Sequence, residues 1–270
     1  MKKNLFVLAL AAMIAVSCGT TNTSMVILHV NDTHSHHDPV RSGARAGHGG
    51  VIERTAIIDS VRNSRGSGNV LLVHAGDFNQ GTSYYTTFKG LLEVDLINTI
   101  GYDCITLGNH EFDNGLEDLA ARVKLIDCPV VCANVDFSGT PLEGLVKPCA
   151  VIRKGGLKIG IIGATSDLAT MVASSISSRL TQLDNVKEVN YWSEYLRKMQ
   201  KCDMVVFLSH LGYDEDQAIV PHLHGVDIVI GGHTHTFVDG FVYVSDADGK
   251  QVPIITDGCW GYDIGEIIVK

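Results

Sequence analysis

Positive charge is scarce in this chain: 21 lysines and arginines stand against 30 aspartates and glutamates, a formal net charge of −9. A net acidic surface repels the phosphate backbone, so no nucleic-acid partner is expected. An anionic small substrate would be repelled as well, unless bound cations drew it in. Membrane-spanning runs are also missing, since the apolar stretch at residues 5–16 falls short of the ~20 residues that cross a bilayer. No internal repeat, low-complexity segment or interdomain linker breaks the remainder, which argues for one domain with a sizeable core. A disulfide framework finds little support. Six cysteines accompany Cys18, and the suggestive pair Cys128 and Cys132 lies in one extended run, roughly 13 Å apart. That exceeds the ~7 Å Cα separation a bridge tolerates, so most of the six read as buried thiols, with their pairing left open.

What is present begins at the amino terminus. Lys2 and Lys3 precede the apolar residues 5–16, the pattern of a secretory signal. The run closes on Ala15-Val16-Ser17-Cys18-Gly19, which resembles a bacterial lipoprotein signal whose cysteine becomes the lipidated first residue. Ordinary cleavage nearby, with Cys18 incidental, is the alternative. The expected organisation is a signal peptide over residues 1–17, a tether over 18–24 and a folded domain over 25–270. The expected location is the bacterial cell envelope, with membrane contact by the lipid anchor only.

Five short apolar runs then end in residues able to hold metals. Val26-Ile27-Leu28-His29-Val30 leads to Asn31-Asp32-Thr33-His34, and Val70-Leu71-Leu72-Val73-His74 to Ala75-Gly76-Asp77. Cys104-Ile105-Thr106-Leu107 leads to Gly108-Asn109-His110-Glu111, Met204-Val205-Val206-Phe207-Leu208 to Ser209-His210, and Ile228-Val229-Ile230 to Gly231-Gly232-His233-Thr234-His235. Such runs read as buried strands, and ligand sites in α/β sheets gather at the carboxyl ends of strands. Helical patterns lie between them, with Ile58 and Val61 on one face of residues 51–65, Leu116, Leu119, Ala120 and Val123 in a second segment, and Val189, Trp192, Leu196 and Met199 in a third. The class is therefore α/β. Residues 129–133 and 158–162 are further strand candidates without ligands, and residues 38–50 read as a mobile Gly/Arg loop.

Taken singly, each ligand candidate has an ordinary explanation. Asp32 suits an Asx turn, Asn109 a left-handed turn, and Asp77 a cap. His29 and His74, inside strands, read as core histidines, whereas His36, His37, His222 and His224 read as solvated. It is the series, each member following an apolar run, that points to a site. Two Asp, one Asn and several His form an oxygen and nitrogen donor set suited to divalent transition metals, and too many for one ion.

These motifs resemble the calcineurin-like metallophosphoesterases, and within them the 5′-nucleotidase family, over residues 25–270. The resemblance implies a double β-sandwich flanked by helices and makes residues 25–270 the catalytic domain. It implies two divalent ions (Zn, Mn, Fe or Co), one held by Asp32, His34, Asp77 and His235 and the other by Asp77, Asn109, His210 and His233, with Asp77 bridging. Two cations ~3.5–4 Å apart offset phosphoryl charge and acidify a bridging water, which is what a phosphate ester needs for attack near neutral pH. His110, one residue beyond Asn109, overhangs the site as the group that stabilises developing charge or protonates the leaving oxygen, with Asp113 as its orienting carboxylate. The plainer reading of Asp113 is a helix-start residue ahead of Leu116.

The implied function is hydrolysis of phosphate monoesters, nucleotides above all. The alternatives are a cyclic-nucleotide or nucleotide-sugar phosphodiesterase on the same site and, in another class, a metal-binding protein without turnover. Members of the nucleotidase family carry a second, carboxy-terminal domain that grips the nucleobase. The sequence ends at Lys270, just after a strand-like run at residues 262–269, so the expectation is a separately encoded nucleobase-binding domain or a different ester. No aromatic clamp is legible, and the substrate-binding residues are unassigned. Arg41, Arg45 and Arg54 are the basic residues near the first motif; Arg41 or Arg45 is within reach of a substrate, and the plainer reading of both is a solvated loop position.

Overall fold

The computed structural model describes residues 13–14 and 25–270. The expected signal peptide and tether, with Cys18, otherwise lie outside the described residues. Two six-stranded mixed sheets face each other. The first runs β1 (Met13–Ile14), β14 (Gly265–Val269), β2 (Met25–Val30), β3 (Val70–His74), β4 (Cys104–Thr106), β5 (Val130–Val131). The second runs β12 (Val242–Ser245), β13 (Gln251–Ile255), β11 (Ile228–Ile230), β10 (Met204–His210), β8 (Leu157–Thr165), β7 (Cys149–Lys154). A two-stranded ladder of β6 (Val135–Asp136) and β9 (Thr181–Gln182) stands apart. The strands that lead to candidate ligands are parallel within each sheet, β2 to β3 to β4 in one and β10 to β11 in the other, whereas β14 pairs antiparallel with β2, β7 with β8 and β12 with β13.

Burial on both faces explains why these strands read as continuous apolar runs. Ile27, Leu71, Val73, Cys104, Ile161, Val206 and Ile228 point between the sheets and are fully buried. Their neighbours Val26, Leu28 and Leu72 face the opposite way, against Ile58 of α1 (Val51–Arg65), Ile97 of α3 (Leu91–Ile100) and Leu119 of α4 (Leu116–Val123), with α2 (Ser83–Phe88) next to α3. On the second sheet Ile162, Val205 and Phe207 meet Val189 of α7 (Asn185–Glu194) and Ile219 of α8 (Tyr213–Ile219). The short α5 (Leu168–Met171) and α6 (Ser174–Ser177) follow β8. The result is a helix–sheet–sheet–helix sandwich, as the resemblance implies.

Several finer expectations change. Residues 38–50 fold back on themselves: Pro39 bridges Gly49, and the Val40 amide donates to the His48 carbonyl at 2.9 Å. His36 stacks on Trp260 (4.7 Å between centroids) and His37 lies 3.0 Å from Glu93, so neither is simply solvated. Cys104, Cys132, Cys202 and Cys259 are buried free thiols, with Cys128 and Cys149 half-buried and also unpaired. No helix among the described residues is long and apolar enough to cross a membrane.

Candidate metal centre

Register brings the strand ends together. Val30 pairs level with His74, so the loop after β2 runs beside the loop after β3: the Asp32 amide donates to the Gly76 carbonyl and the His34 amide to the Asp77 carbonyl, each at 3.0 Å. Close approach requires glycine at two points. A Cβ on Gly108 would sit 2.2 Å from Asp77 Oδ1, and one on Gly76 would sit 2.7 Å from His210 Nδ1. Convergence also strains the backbone. Asp32 (φ 48°), His34 (46°), Asp77 (53°), His233 (79°) and His235 (54°) all adopt left-handed conformations, which cost a non-glycine residue about 1–2 kcal/mol each.

The donor atoms of Asp32, His34 and His235 lie within 4.8 Å of one another, and so do those of Asp77, His210 and His233. A third group, His34, Asp77 and His110, overlaps both. Asp77 sits between them, its Oδ2 3.1 Å from His210 Nε2 and 3.8 Å from His34 Nε2. Asp32 Oδ1 faces His235 Nε2 at 3.5 Å and His34 Nε2 at 3.8 Å. Asn109 follows β4 and is buried, its side-chain oxygen 3.3 Å from the Ser166 hydroxyl. The candidate residues thus lie around one edge, with Asn109 the member whose recorded partner is a serine.

The donor set fits divalent ions on its own geometry. His210 is completely buried, its Nδ1 bonds the Ala75 carbonyl at 2.6 Å, and its Nε2 has no hydrogen-bond partner. His34 likewise turns Nδ1 to the Asn79 carbonyl at 3.1 Å and Nε2 into the site. An imidazole fixed through one nitrogen, with the other turned among carboxylates and imidazoles (His210 Nε2 3.1 Å from Asp77 Oδ2, His34 Nε2 2.9 Å from His235 Nε2), is the arrangement of a metal ligand. Electrostatics agree. Burial opposes charge on His210, yet Asp77 and Asp32 push its pKa up to about 10, and hydrogen bonds to Asp32 and Cys259 bring His235 to about 10. Burial opposes charge on Asp77 too, but His210 and His34 hold its carboxyl below the usual range. Burial lowers His34 and His233. Without a cation the carboxylates collect protons on histidine, and a divalent ion takes those protons' place.

His110 stands beside this edge. Its amide donates to Asp77 Oδ1 at 2.9 Å, and its Nδ1 lies 2.8 Å from Asp113 Oδ2. That hydrogen bond raises the His110 pKa and favours the imidazolium. Asp113 closes the short helical turn after His110, ahead of α4, so it serves the imidazole as well as the turn.

Sequence reasoning passed over Glu111. Its buried carboxylate accepts from the amides of Asp77 (2.9 Å), Phe78 (3.0 Å), Asn79 (3.1 Å) and Gly108 (2.6 Å), tying the loops after β3 and β4 together. The signal was its place in Gly-Asn-His-Glu. A rim of rings was also missed: Trp260 stacks on His36 and meets Tyr262 edge-on, and Arg45 lies 4.2 Å from the Phe237 centroid and 4.8 Å from that of Tyr262. Arg54, by contrast, is buried beneath the first loop.

Comparison with known proteins gives a consistent picture. The family model of calcineurin-like phosphoesterases matches residues 25–237. The snake venom 5′-nucleotidase of Gloydius brevicauda is 34% identical over 278 residues, covering 94% of this chain and 46% of the venom protein. The probable 5′-nucleotidase of Treponema pallidum is 34% identical over 220 residues, 78% of this chain and 36% of that protein. The crystal structure of a 5′-nucleotidase precursor from Thermus thermophilus superposes with a TM-score of 0.83 at 34% identity, over 90% of this chain and 50% of the other. The chain spans half or less of the length of these three.

Proposed function

Because this chain belongs to the calcineurin-like phosphoesterase family, we propose that it hydrolyses phosphate monoesters, nucleotides above all, at a dinuclear metal centre. Asp32, His34, Asp77 and His235 would hold one divalent ion and Asp77, Asn109, His210 and His233 the other. Bound there, the pair supplies charge neutralisation at the phosphoryl oxygens and an acidified water. The remaining work falls to the protein. Asp113 occupies Nδ1 of His110, so the proton for the leaving oxygen sits on Nε2. Asp77 would be shared by the two ions, and it anchors the His110 backbone. Glu111 keeps both loops in place.

The observation that carries this reading is the His110–Asp113 pair at 2.8 Å beside Asp77. A site that merely stored metal would need no imidazole poised as an acid. Phosphate release from a panel of esters, with Mn or Zn supplied, tests it. Aryl phosphates and nucleoside monophosphates should be hydrolysed with efficiencies within about tenfold, a spread of ~1.4 kcal/mol. Preference for cyclic nucleotides or diesters would make the chain a phosphodiesterase, and bound metal without turnover would favour the metal-binding reading.

The proposed location is the cell envelope, through a lipid on Cys18. A diacylglyceryl cysteine holds firmly at ~0.8 kcal/mol per buried methylene. Detergent phase partition checks this: wild type should enter the detergent phase and Cys18→Ser the aqueous phase, and equal partition would refute the anchor.

A further inference from the structure

Among the described residues Arg45 is a cation without a salt-bridge partner. Its guanidinium makes no hydrogen bond and no ion pair among them; Phe237 and Tyr262 instead hold it by their rings, at 4.2 and 4.8 Å. Asp263 feels its charge without forming an ion pair with it. Arg41 is engaged by Asp38 at 3.4 Å and Arg54 is buried. A guanidinium between rings is immobilised by its faces, while its N–H donors, which lie in the plane and match two oxygens of a phosphate, stay available. A purely structural arginine spends those donors on the protein. Nor does the loop need Arg45 to close it, since the Pro39–Gly49 bridge and the hydrogen bonds joining Val40 to Gly47 and His48 already do so.

The position is set by the metal centre. Phe237 follows the candidate ligand His235 by two residues, a chain reach of about 7 Å at most. Its ring lies over Gly258, where a Cβ would come within 2.2 Å of it, and the Gly258 carbonyl is held at 2.7 Å by Asn31, the neighbour of Asp32. On the other side Trp260 donates its amide to the Asp32 carbonyl at 2.6 Å. The rim is thus bolted to the first metal position, and Arg45 stands one side chain farther out. Its guanidinium contacts the rings of the rim rather than the clustered donor atoms, a place suited to what the phosphoryl group is attached to. In a chain of net charge −9, a cation there with its donors free selects for negative charge.

Resting on the phosphoesterase reading, we propose that Arg45 is a specificity residue that receives a second anionic group on the leaving side of the substrate. The chain then favours nucleoside diphosphates, whose leaving group is itself a phosphate, over nucleoside monophosphates and aryl phosphates. Binding remote from the reacting atoms raises efficiency only for substrates that own the remote group.

Steady-state kinetics of the Mn-loaded protein on adenosine diphosphate, adenosine monophosphate and p-nitrophenyl phosphate test the proposal. Arg45→Met should raise KM for the diphosphate about tenfold, the usual loss for a charge-assisted hydrogen bond, leave its kcat unchanged, and leave both other substrates as they were. Arg45→Lys should recover part of the loss, because charge is kept and the planar fork is not. An equal loss on all three substrates, or none on any, overturns the assignment. If wild type hydrolyses none of them, the phosphoesterase reading fails first. Calorimetric titration of adenosine diphosphate into wild type and Arg45→Met then judges Arg45 alone: weaker binding only in the variant upholds it, and equal binding refutes it.

Discussion

Between the sheets, Leu71, Val73, Ile161 and Val206 are completely buried within regular strands; a few residues farther along, Asp32, His34, Asp77, His233 and His235 crowd into left-handed backbone with their carboxylates and imidazoles pressed together. The first region follows local rules: β-branched and leucine side chains, alternate faces, parallel register. The second breaks them. Polar groups are buried, donors on His210 and other side chains go unpaired, and like charges sit close. Stability comes from the body of the sandwich, and the strand ends draw on it to hold a geometry that bound cations would relieve.

Removing Asp77 should separate the regions most sharply. Asp77→Ala takes the shared carboxylate from both metal positions, so bound metal and turnover should fall together, the latter beyond the range of any other change considered; metal analysis and phosphate release on the same preparation check it. His110→Ala should retain both metals and lose roughly two to four powers of ten in kcat, the range of a positioned acid or charge stabiliser. If it lost the metals, or stayed fully active, its role would be wrong. Chelation should lower thermal stability, because cations that bind only the folded state add about 4 kcal/mol at a thousandfold excess over Kd, some 8–16 °C at the ~2–4 °C per kcal/mol typical of this size. An unchanged Tm after exhaustive chelation would mean the strand ends hold no strain for cations to relieve.

The pH dependence follows from the Asp113 hydrogen bond. It raises the His110 pKa in the folded protein, so the charged imidazole, and the stability it brings, are present below the ordinary histidine pKa and lost as pH rises through the raised one. Asp113→Asn should therefore move the alkaline limb of the rate profile to lower pH; if the shift is one unit, activity at the old midpoint should fall about five- to sixfold. Ile161→Val lies at the other extreme: it should cost about 0.5–1.5 kcal/mol in a thermal melt and leave metal content and kcat alone. A loss of metal there would show that the body and the strand ends are not separable.

Legibility followed the same division. Doubly buried strands announce themselves as apolar runs, so β2, β3, β10 and β11 and the residues ending them were readable. Short helices were not: α2 and α8 span six and seven residues, too few turns for a 3.6-residue period to stand out. The helix α3 hid because Glu93 sits on its buried face, paired with His37 across 56 positions. Long-range pairing also hid the ordered loop at residues 38–50, whose rings come from Phe237 and Tyr262, and the role of Glu111, whose partners are backbone amides. A candidate donor is local chemistry and stands out in a motif; what holds it still is assembled by the fold.

Counting metal ions tests the central claim most directly. The protein is stripped with chelator, given excess Mn or Zn, freed of unbound metal and assayed by elemental analysis beside Asp77→Ala. The account expects two ions per wild-type chain and fewer than one in the variant; a single ion in wild type, or two in Asp77→Ala, would contradict a shared carboxylate at the strand ends.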